Sequence, residues 1–364
     1  MMAVYAVFSS CWTVRAEDDF KLEEPSNWSQ FFDLRTEAGY HDNPTYTATN
    51  PSGSMFAAIK LEYTLVRLPV DDWQVLVLSS ADATRFLDNA LTDHEVFTFS
   101  LFQVQKETLP GRNWEAGFQH VYQDQQVDAS TTVVNQGSVA IHGHTLQGYA
   151  RWKQQWTTGW WLAAKPMLEW QTVEMPLDDS YEPGLEFSLG REWQRHSSIT
   201  LSYEFHERVF DRLTPTDAFG VARGEGSLHL RQHQVQLVYR RDLDQDGHWR
   251  ATARGDWLRN LDNGEGFFDY NRGRMALELR WHQKPWEIKL SSRASYYDYS
   301  IQRIAGAGRA MREKLLTATG LQVRREFKHG WYVIARGEFE HSLSNQAADR
   351  YSASLVSLGL GWGN

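Results

Sequence analysis

Near the end of the chain, His341-Ser342-Leu343-Ser344-Asn345 brings together an imidazole, two hydroxyls and an amide, the side-chain types of an acyl-transfer site. A histidine can take the proton from a serine nucleophile only if both stand on one face of the backbone. In a strand they do not, because His341 shares its face with Leu343 while Ser342 and Ser344 point the other way. Only a bulge would bring them together, so a solvated rim histidine is expected and no catalytic residue is assigned. A second group, His142-Gly143-His144, has the i, i+2 spacing with which two imidazoles on one strand face can hold a metal ion. No third ligand is placed near them, so they read as two rim histidines at an outer boundary. Neither a metal site nor a cofactor is expected.

Charged residues recur on one parity of alternating runs, and on a strand one parity is one face. They are Arg35, Glu37, Lys60, Glu62, Arg151, Lys153, Lys165, Glu169, Glu186, Glu192, Glu204, Arg240, Arg250, Arg254, Asp256, Glu278, Arg280, Lys289, Arg293, Arg336, Glu338 and Glu340. Singly, each is a paired charge on a solvated wall. As a set, inward charges of both signs on most strands describe a wet lumen, where fixed charge tunes which solutes pass. They are the expected pore lining.

Positioning such residues takes long strands. Trp331, Val333, Ala335, Gly337 and Phe339 alternate with Tyr332, Ile334, Arg336, Glu338 and Glu340. Trp249, Ala251, Ala253, Gly255 and Trp257 alternate with Arg250, Thr252, Arg254 and Asp256. Period two over about ten residues is strand. The pattern predicts sixteen strands, near 30–40, 55–66, 73–82, 95–105, 113–123, 142–154, 159–171, 183–193, 198–207, 229–240, 248–258, 271–281, 286–297, 314–326, 331–341 and 351–362.

Their connections alternate without exception between short ones, such as Gln155–Thr158 and Arg241–Gly247, and long ones, such as His41–Ser54, Asp124–Ile141 and Asp298–Glu313. Short periplasmic turns and long outer loops are the pattern of a transmembrane barrel. Trp73, Trp114, Trp160, Trp249, Trp286 and Trp331 each open a strand after a short turn, and Trp362 returns to the same level. Aromatics at one end of every hairpin form a girdle at a lipid–water boundary. The longest connection, Arg208–Leu228, carries apolar residues that could fold into the lumen, but a surface loop packed on its own side chains is expected. A soluble β-propeller also repeats at about forty residues, yet its blades need four short strands, where each repeat here holds two runs of about ten to thirteen residues. The expected fold is therefore all-β: a single up-and-down antiparallel transmembrane barrel of about sixteen strands, both termini periplasmic.

Composition agrees. Mean hydropathy is −0.55, and no apolar run is long enough to cross a bilayer as a helix, which excludes a helical membrane protein. The net charge of −9 argues against a nucleic-acid partner. Met1 to Val14 is uncharged and mostly apolar, and Val14-Arg15-Ala16 fits a small-x-small cleavage site. A signal peptide is expected over residues 1–16, with the barrel over 17–364. Cys11, the only cysteine, would leave with the signal, and no disulfide would remain.

Ala38-Gly39-Tyr40-His41-Asp42-Asn43-Pro44, where the first strand enters its first long loop, resembles the first-hairpin motif of porin-like outer-membrane barrels often encoded with exopolysaccharide export genes. The end of the chain is similar too: Ser344-Asn345, Tyr351, then Val356-Ser357-Leu358-Gly359-Leu360-Gly361-Trp362. In that class the last strand closes on an aromatic that the barrel-assembly machinery reads, whereas here Gly363-Asn364 follow Trp362. The resemblance implies a place in the Gram-negative outer membrane and a porin-like transport role. The partners it implies are outer-membrane lipid, the assembly machinery, and a polysaccharide or small hydrophilic solute. The His341–Asn345 stretch also resembles the His-x-Ser-Asn of outer-membrane phospholipases, with one extra residue before the Ser-Asn pair. That implies a lipid hydrolase as an alternative, beside a pore-less structural or adhesive barrel.

Overall fold

Alternation becomes backbone pairing in the computed structural model, which describes residues 27–70, 72–88, 94–128, 138–174, 178–193, 197–224, 226–304 and 310–364. The expected signal peptide lies outside the described residues. Sixteen strands follow in order: β1 (Trp28–His41), β2 (Ser54–Val70), β3 (Trp73–Phe86), β4 (His94–Leu109), β5 (Arg112–Asp128), β6 (Ser138–Gln155), β7 (Trp160–Val173) and β8 (Ser180–Trp193), then β9 (Ser197–Phe210), β10 (His229–Asp242), β11 (Trp249–Asp262), β12 (Tyr270–Gln283), β13 (Trp286–Arg303), β14 (Met311–Glu326), β15 (Trp331–Ser344) and β16 (Tyr351–Gly363). Each pairs antiparallel with its chain neighbours, and β1 closes on β16 from Asp33 opposite Gly363 to His41 opposite Leu355. The barrel has no open edge along its paired length, so the strands' backbone groups there find partners within the sheet.

The strands overrun the expected limits at the long-loop end. β13 continues to Arg303 and β6 begins at Ser138, shortening the expected Asp298–Glu313 and Asp124–Ile141 connections. Backbone pairing continues there above the apolar band, where water reaches both faces and alternation no longer reports the strand.

The outward face is apolar over most of its height. Leu34, Ile59, Phe102, Leu201, Leu277, Leu321 and Leu358 all lie exposed on it, at the positions alternating with charge. Below them stand the exposed indoles of Trp73, Trp114, Trp160, Trp249, Trp286 and Trp331, with Trp362 opposite Trp331. An exposed apolar belt above an aromatic ring, on a closed barrel, is a wall built for lipid. Among the described residues no helix is long and apolar enough to cross a membrane; the crossing is made by strands.

Two features hold the register. At the short turns, Gly159 (φ 81°) and Gly330 (φ 78°) adopt left-handed backbone, and a Cβ at either would strike the carbonyl of Glu192 or Gly363. On the inner face, Trp161, Tyr149 and Tyr332 each lie across a glycine directly opposite, Gly190, Gly117 and Gly361 respectively. Such aromatic–glycine pairs pin neighbouring strands against slipping.

Candidate functional site: the inner wall and mouth of the barrel

All the charged residues expected on one parity fall on the inner face, and most are tied to inner-face neighbours. Arg35 pairs with Glu37 (2.5 Å), Lys60 with Glu62 (3.2 Å), Lys289 with Glu278 (2.9 Å), Arg293 with Glu340 (2.7 Å) and Arg336 with Glu338 (2.7 Å). Arg151 reaches Glu115 (3.9 Å), Lys153 reaches Glu192 (3.7 Å), Arg250 holds Asp242 (2.7 Å) and Arg280 holds Glu287 (2.8 Å). Lys165, opposite Glu186, stands 4.5 Å over the Tyr149 ring, and Glu169 accepts from Gln147 at 3.2 Å. Glu204 receives His206 Nε2 at 2.7 Å, and Asp256 receives Arg272 at 2.7 Å. Arg240 and Arg254 extend the same face of β10 and β11.

Several inner-face groups escaped the sequence reading although the same parity reaches them: Asp82, Glu95, Glu182, His206, Arg208, Arg272, Arg274, Arg312, Lys314 and Arg324. Most sit toward strand ends, beyond the mid-strand runs from which the parity was counted. With them included, charge divides across the lumen. On β10 to β14 basic side chains outnumber Asp242, Asp256, Asp262, Glu278, Glu287 and Glu326. On β15 and β1 to β4, Asp33, Glu37, Glu62, Asp82, Glu95, Glu338 and Glu340 outnumber Arg35, Lys60 and Arg336.

Loops fold over the mouth. The first, after His41, is buried at Asn43, Pro44 and Thr45. Asn43 Nδ2 donates to the carbonyls of Thr47 and Ser352 (both 3.0 Å), and its Oδ1 accepts from Thr47 N–H. Tyr46 then packs on inner-face His41 and Tyr351, with ring centres 5.9 and 5.5 Å away. The motif Asp42-Asn43-Pro44 is thus a hinge that turns the loop inward. Elsewhere Arg312 Nη2 bonds Asp349 (2.6 Å), Nη1 bonds Gln302 (2.7 Å), and its guanidinium lies 4.6 Å from the Tyr299 ring centre.

The connection after β9 corrects an expectation. It does not pack only on its own side chains: Phe210, Leu213, Leu228 and Leu230 form one cluster with Phe267 and Phe268 of the next long loop. Phe210 and Leu230 are inner-face residues, so the cluster narrows the mouth from that side, while Phe219 remains 76% exposed at the tip. Asp178 anchors the same connection by accepting the N–H groups of Arg212 (2.6 Å) and Leu213 (2.7 Å) and the Arg212 guanidinium (2.9 Å). Burial pushes its carboxyl up, but these donors outweigh burial and hold it below the usual carboxylate range.

The histidines singled out in the sequence, His142, His144 and His341, stand on the outward face instead of the inner wall. Ser342 and Ser344 point inward, away from His341, and their hydroxyls donate to the carbonyls of Asp349 (2.6 Å) and Glu313 (2.7 Å). Instead His341 Nδ1 lies 2.7 Å from Ser352 Oγ on the adjacent strand, on the outward face. Among the described residues no carboxylate or amide holds its Nε2. His142 and His144 are outward as well, and the expectation that no further ligand-type side chain stands near them is corrected: His120 lies 3.1 Å from His144, and Asp124 lies 3.4 Å from His142. At a short turn, Asp244, Asp246 and His248 bring ligand atoms within 4.8 Å of one another. Asp244 there caps the turn, accepting the N–H groups of Trp249 (2.9 Å) and His248 (3.1 Å). These bonds, the Trp249 one foremost, hold its carboxyl low.

No protein-family model matches the chain, and no curated protein sequence does. Solved structures of similar fold include one described as a bacterial polysaccharide outer membrane secretin, 11% identical with a TM-score of 0.46 over 92% of this chain and 97% of that one. A loop L8 deletion form of OmpT, an outer membrane protein of Vibrio cholerae, is 8% identical with a TM-score of 0.48 over 93% and 99%. OccAB3 of Acinetobacter baumannii is 11% identical with a TM-score of 0.46 over 93% and 99%. At these identities the likeness is one of fold alone.

Proposed function

We propose that the chain is a porin-like channel of the bacterial outer membrane, passing hydrophilic solutes or a polysaccharide chain. The observation that carries this reading is the inner wall. A closed sixteen-stranded barrel is too wide for side chains to fill, and its inner face bears charge of both signs on most strands while its outer face is apolar. Basic side chains gathered on β10 to β14, facing an acid-rich wall, set a field across the path of any solute and favour anions or polar chains that can lie along it. The in-turned first loop and the Phe210–Phe268 cluster restrict the mouth from two sides and set its size limit. The resemblance of the first hairpin and last strand to barrels encoded with polysaccharide export genes supports a saccharide as the cargo.

Planar-bilayer recording of the purified full chain tests this reading. Discrete, ohmic conductance steps are expected, and a polysaccharide or oligosaccharide substrate should reduce the current while it occupies the lumen. A folded, inserted barrel that conducts no ions would overturn it and leave a structural or adhesive barrel.

A second reading, lipid hydrolysis, rests on the His341–Ser352 pair, a base and a hydroxyl in contact on the outward face at about the level of the outer boundary. It is the weaker reading, because among the described residues no third group orients the imidazole. Phospholipid hydrolysis that disappears with Ser352→Ala would favour it over the pore; its absence in the folded wild type would remove it.

A further inference from the structure

Over most of the barrel the outer face is apolar and the inner face charged. The upper part of β3 to β6 departs from this, with polar residues on the outer face and, on β3 and β4, apolar ones among those on the inner. Their register aligns outward residues in rows: Ser79, Ser100 and His120; then Thr98, Tyr122 and His144; then Asp124 and His142. These share their faces with Phe102, Phe118 and Leu146, which are exposed on the outside. On the inner face of β3 and β4, by contrast, stand Leu76, Leu78, Phe97, Phe99 and Leu101.

Depth makes the departure costly. His120 is six residues beyond the girdle residue Trp114, about 20 Å of strand and about 15 Å along the membrane normal at the usual tilt. The apolar band of such a barrel is about 25 Å tall, so the lower polar rows lie inside it, and only Asp124 and His142 reach its upper edge. Lipid tails offer no hydrogen-bond partners, and polar groups facing them are expensive.

Internal bonds satisfy only part of this patch. His120 Nε2 and His144 Nδ1 lie 3.1 Å apart, with rings within 14° of coplanar and centres 5.3 Å apart, so they meet edge to edge. Asp124 Oδ2 receives both His94 Nε2 (3.1 Å) and His142 Nδ1 (3.4 Å). The hydroxyls of Ser79 and Ser100 are 3.4 Å apart. The second nitrogens of His120 and His144 have no partner among the described residues.

We infer that the outer face of β3 to β6 is the contact between two copies of this chain lying side by side in the membrane. Copies inserted the same way hold each residue at the same depth, so the polar rows of one barrel meet those of the other without further coincidence. A contact about an axis along the membrane normal repeats the same patch on both sides. This patch carries donors and acceptors together, in its imidazoles, hydroxyls and the Asp124 carboxylate, and is complementary to itself. A lipid headgroup would account for the uppermost row but not for Ser100 and His120 below it. The inference stands independently of the pore reading.

Counting photobleaching steps of singly labelled full-length protein in supported bilayers tests it. Two steps per spot are expected, with oxidative cross-linking of Ser100→Cys but not of Leu277→Cys on the opposite wall. The triple variant Ser100→Leu/His120→Leu/His144→Leu makes the face more lipid-compatible. It should keep heat-modifiable migration, showing a folded barrel, and lose the second step. Single steps in the wild type at every density, a three-step majority, cross-linking through Leu277→Cys instead, or a dimer indifferent to the triple change would each overturn the inference. So would a monomer that retains a phosphorylated glycolipid released by the triple change, which would make the patch a lipid site.

Discussion

Asp256 on β11 and Arg272 on β12 form an ion pair of 2.7 Å in which the two side chains are 0% and 2% exposed. Arg274 reaches the other oxygen of the same carboxylate. The wall that carries the charge is therefore also where charge is most deeply buried. Removing the carboxylate would leave two guanidinium groups without it in a site shut off from water. Asp256→Ala should cost about 3–5 kcal/mol of stability, as breaking a buried pair usually does. Urea unfolding of the barrel in lipid vesicles measures the loss.

Opposite faces fix a paired test of register. Ala253 lies outward between Trp249 and Trp257, and Arg254 lies inward. Ala253→Arg should destabilise by about 2–4 kcal/mol near the bilayer midplane, while Arg254→Ala leaves folding nearly intact. Heat-modifiable gel migration lost in the second variant and kept in the first would mean the register is wrong.

Membrane orientation follows from the two classes of connection. A cysteine at Phe219, at the exposed tip of a long loop, should react with an impermeant maleimide on intact cells. One at Asp246, in a short turn, should react only after the outer membrane is breached. The reverse pattern would invert the barrel.

On the pore reading, selectivity depends on the basic wall. Replacing Arg250, Arg254 and Arg293 with Gln removes fixed positive charge and takes from Asp242 and Glu340 their arginine partners. Both effects lower the barrier to cations. The reversal potential in a KCl gradient should move toward the potassium value; an unchanged potential would place these residues off the permeation path.

Acid should loosen one loop before the barrel. The Asp178 carboxyl is depressed in the folded state, so its stabilising contribution is complete above the unfolded value of about 3.9 and is lost as pH falls through the lower folded value. Amide exchange at Arg212 and Leu213, corrected for its intrinsic pH dependence, should therefore accelerate only in strong acid. Asp178→Asn should show the faster exchange already at neutral pH.

The barrel was legible because lipid imposes a strict period on the chain, and every strand could be counted from it. What lay above the lipid was not: β13 runs to Arg303 and β6 starts at Ser138 because pairing continues where both faces are wet. Inner-face charges in mid-strand, such as Arg254 and Glu338, followed from parity. Arg274 and Arg272 obey the same parity two and three steps beyond Glu278, and counting further along β12 would have reached them. Contacts between strands needed the register itself. His341 could be tested in sequence only against its own strand, while the hydroxyl it meets, Ser352, belongs to the next. The relation of His120 to His144 was hidden for the same reason.

Three aromatic rings of the inner wall lie flat because the residue opposite each is a glycine. A single added methyl at Gly190 would meet the indole of Trp161 and tip it off the wall into the passage, and the same holds for Gly117 under Tyr149 and Gly361 under Tyr332. The width of the bore is thus written partly in residues that have no side chain. One-base changes at those codons would therefore alter the calibre of the bore, and with it the seating of Lys153, Lys165 and Arg324 over the rings, while leaving the ladder and the outer belt untouched.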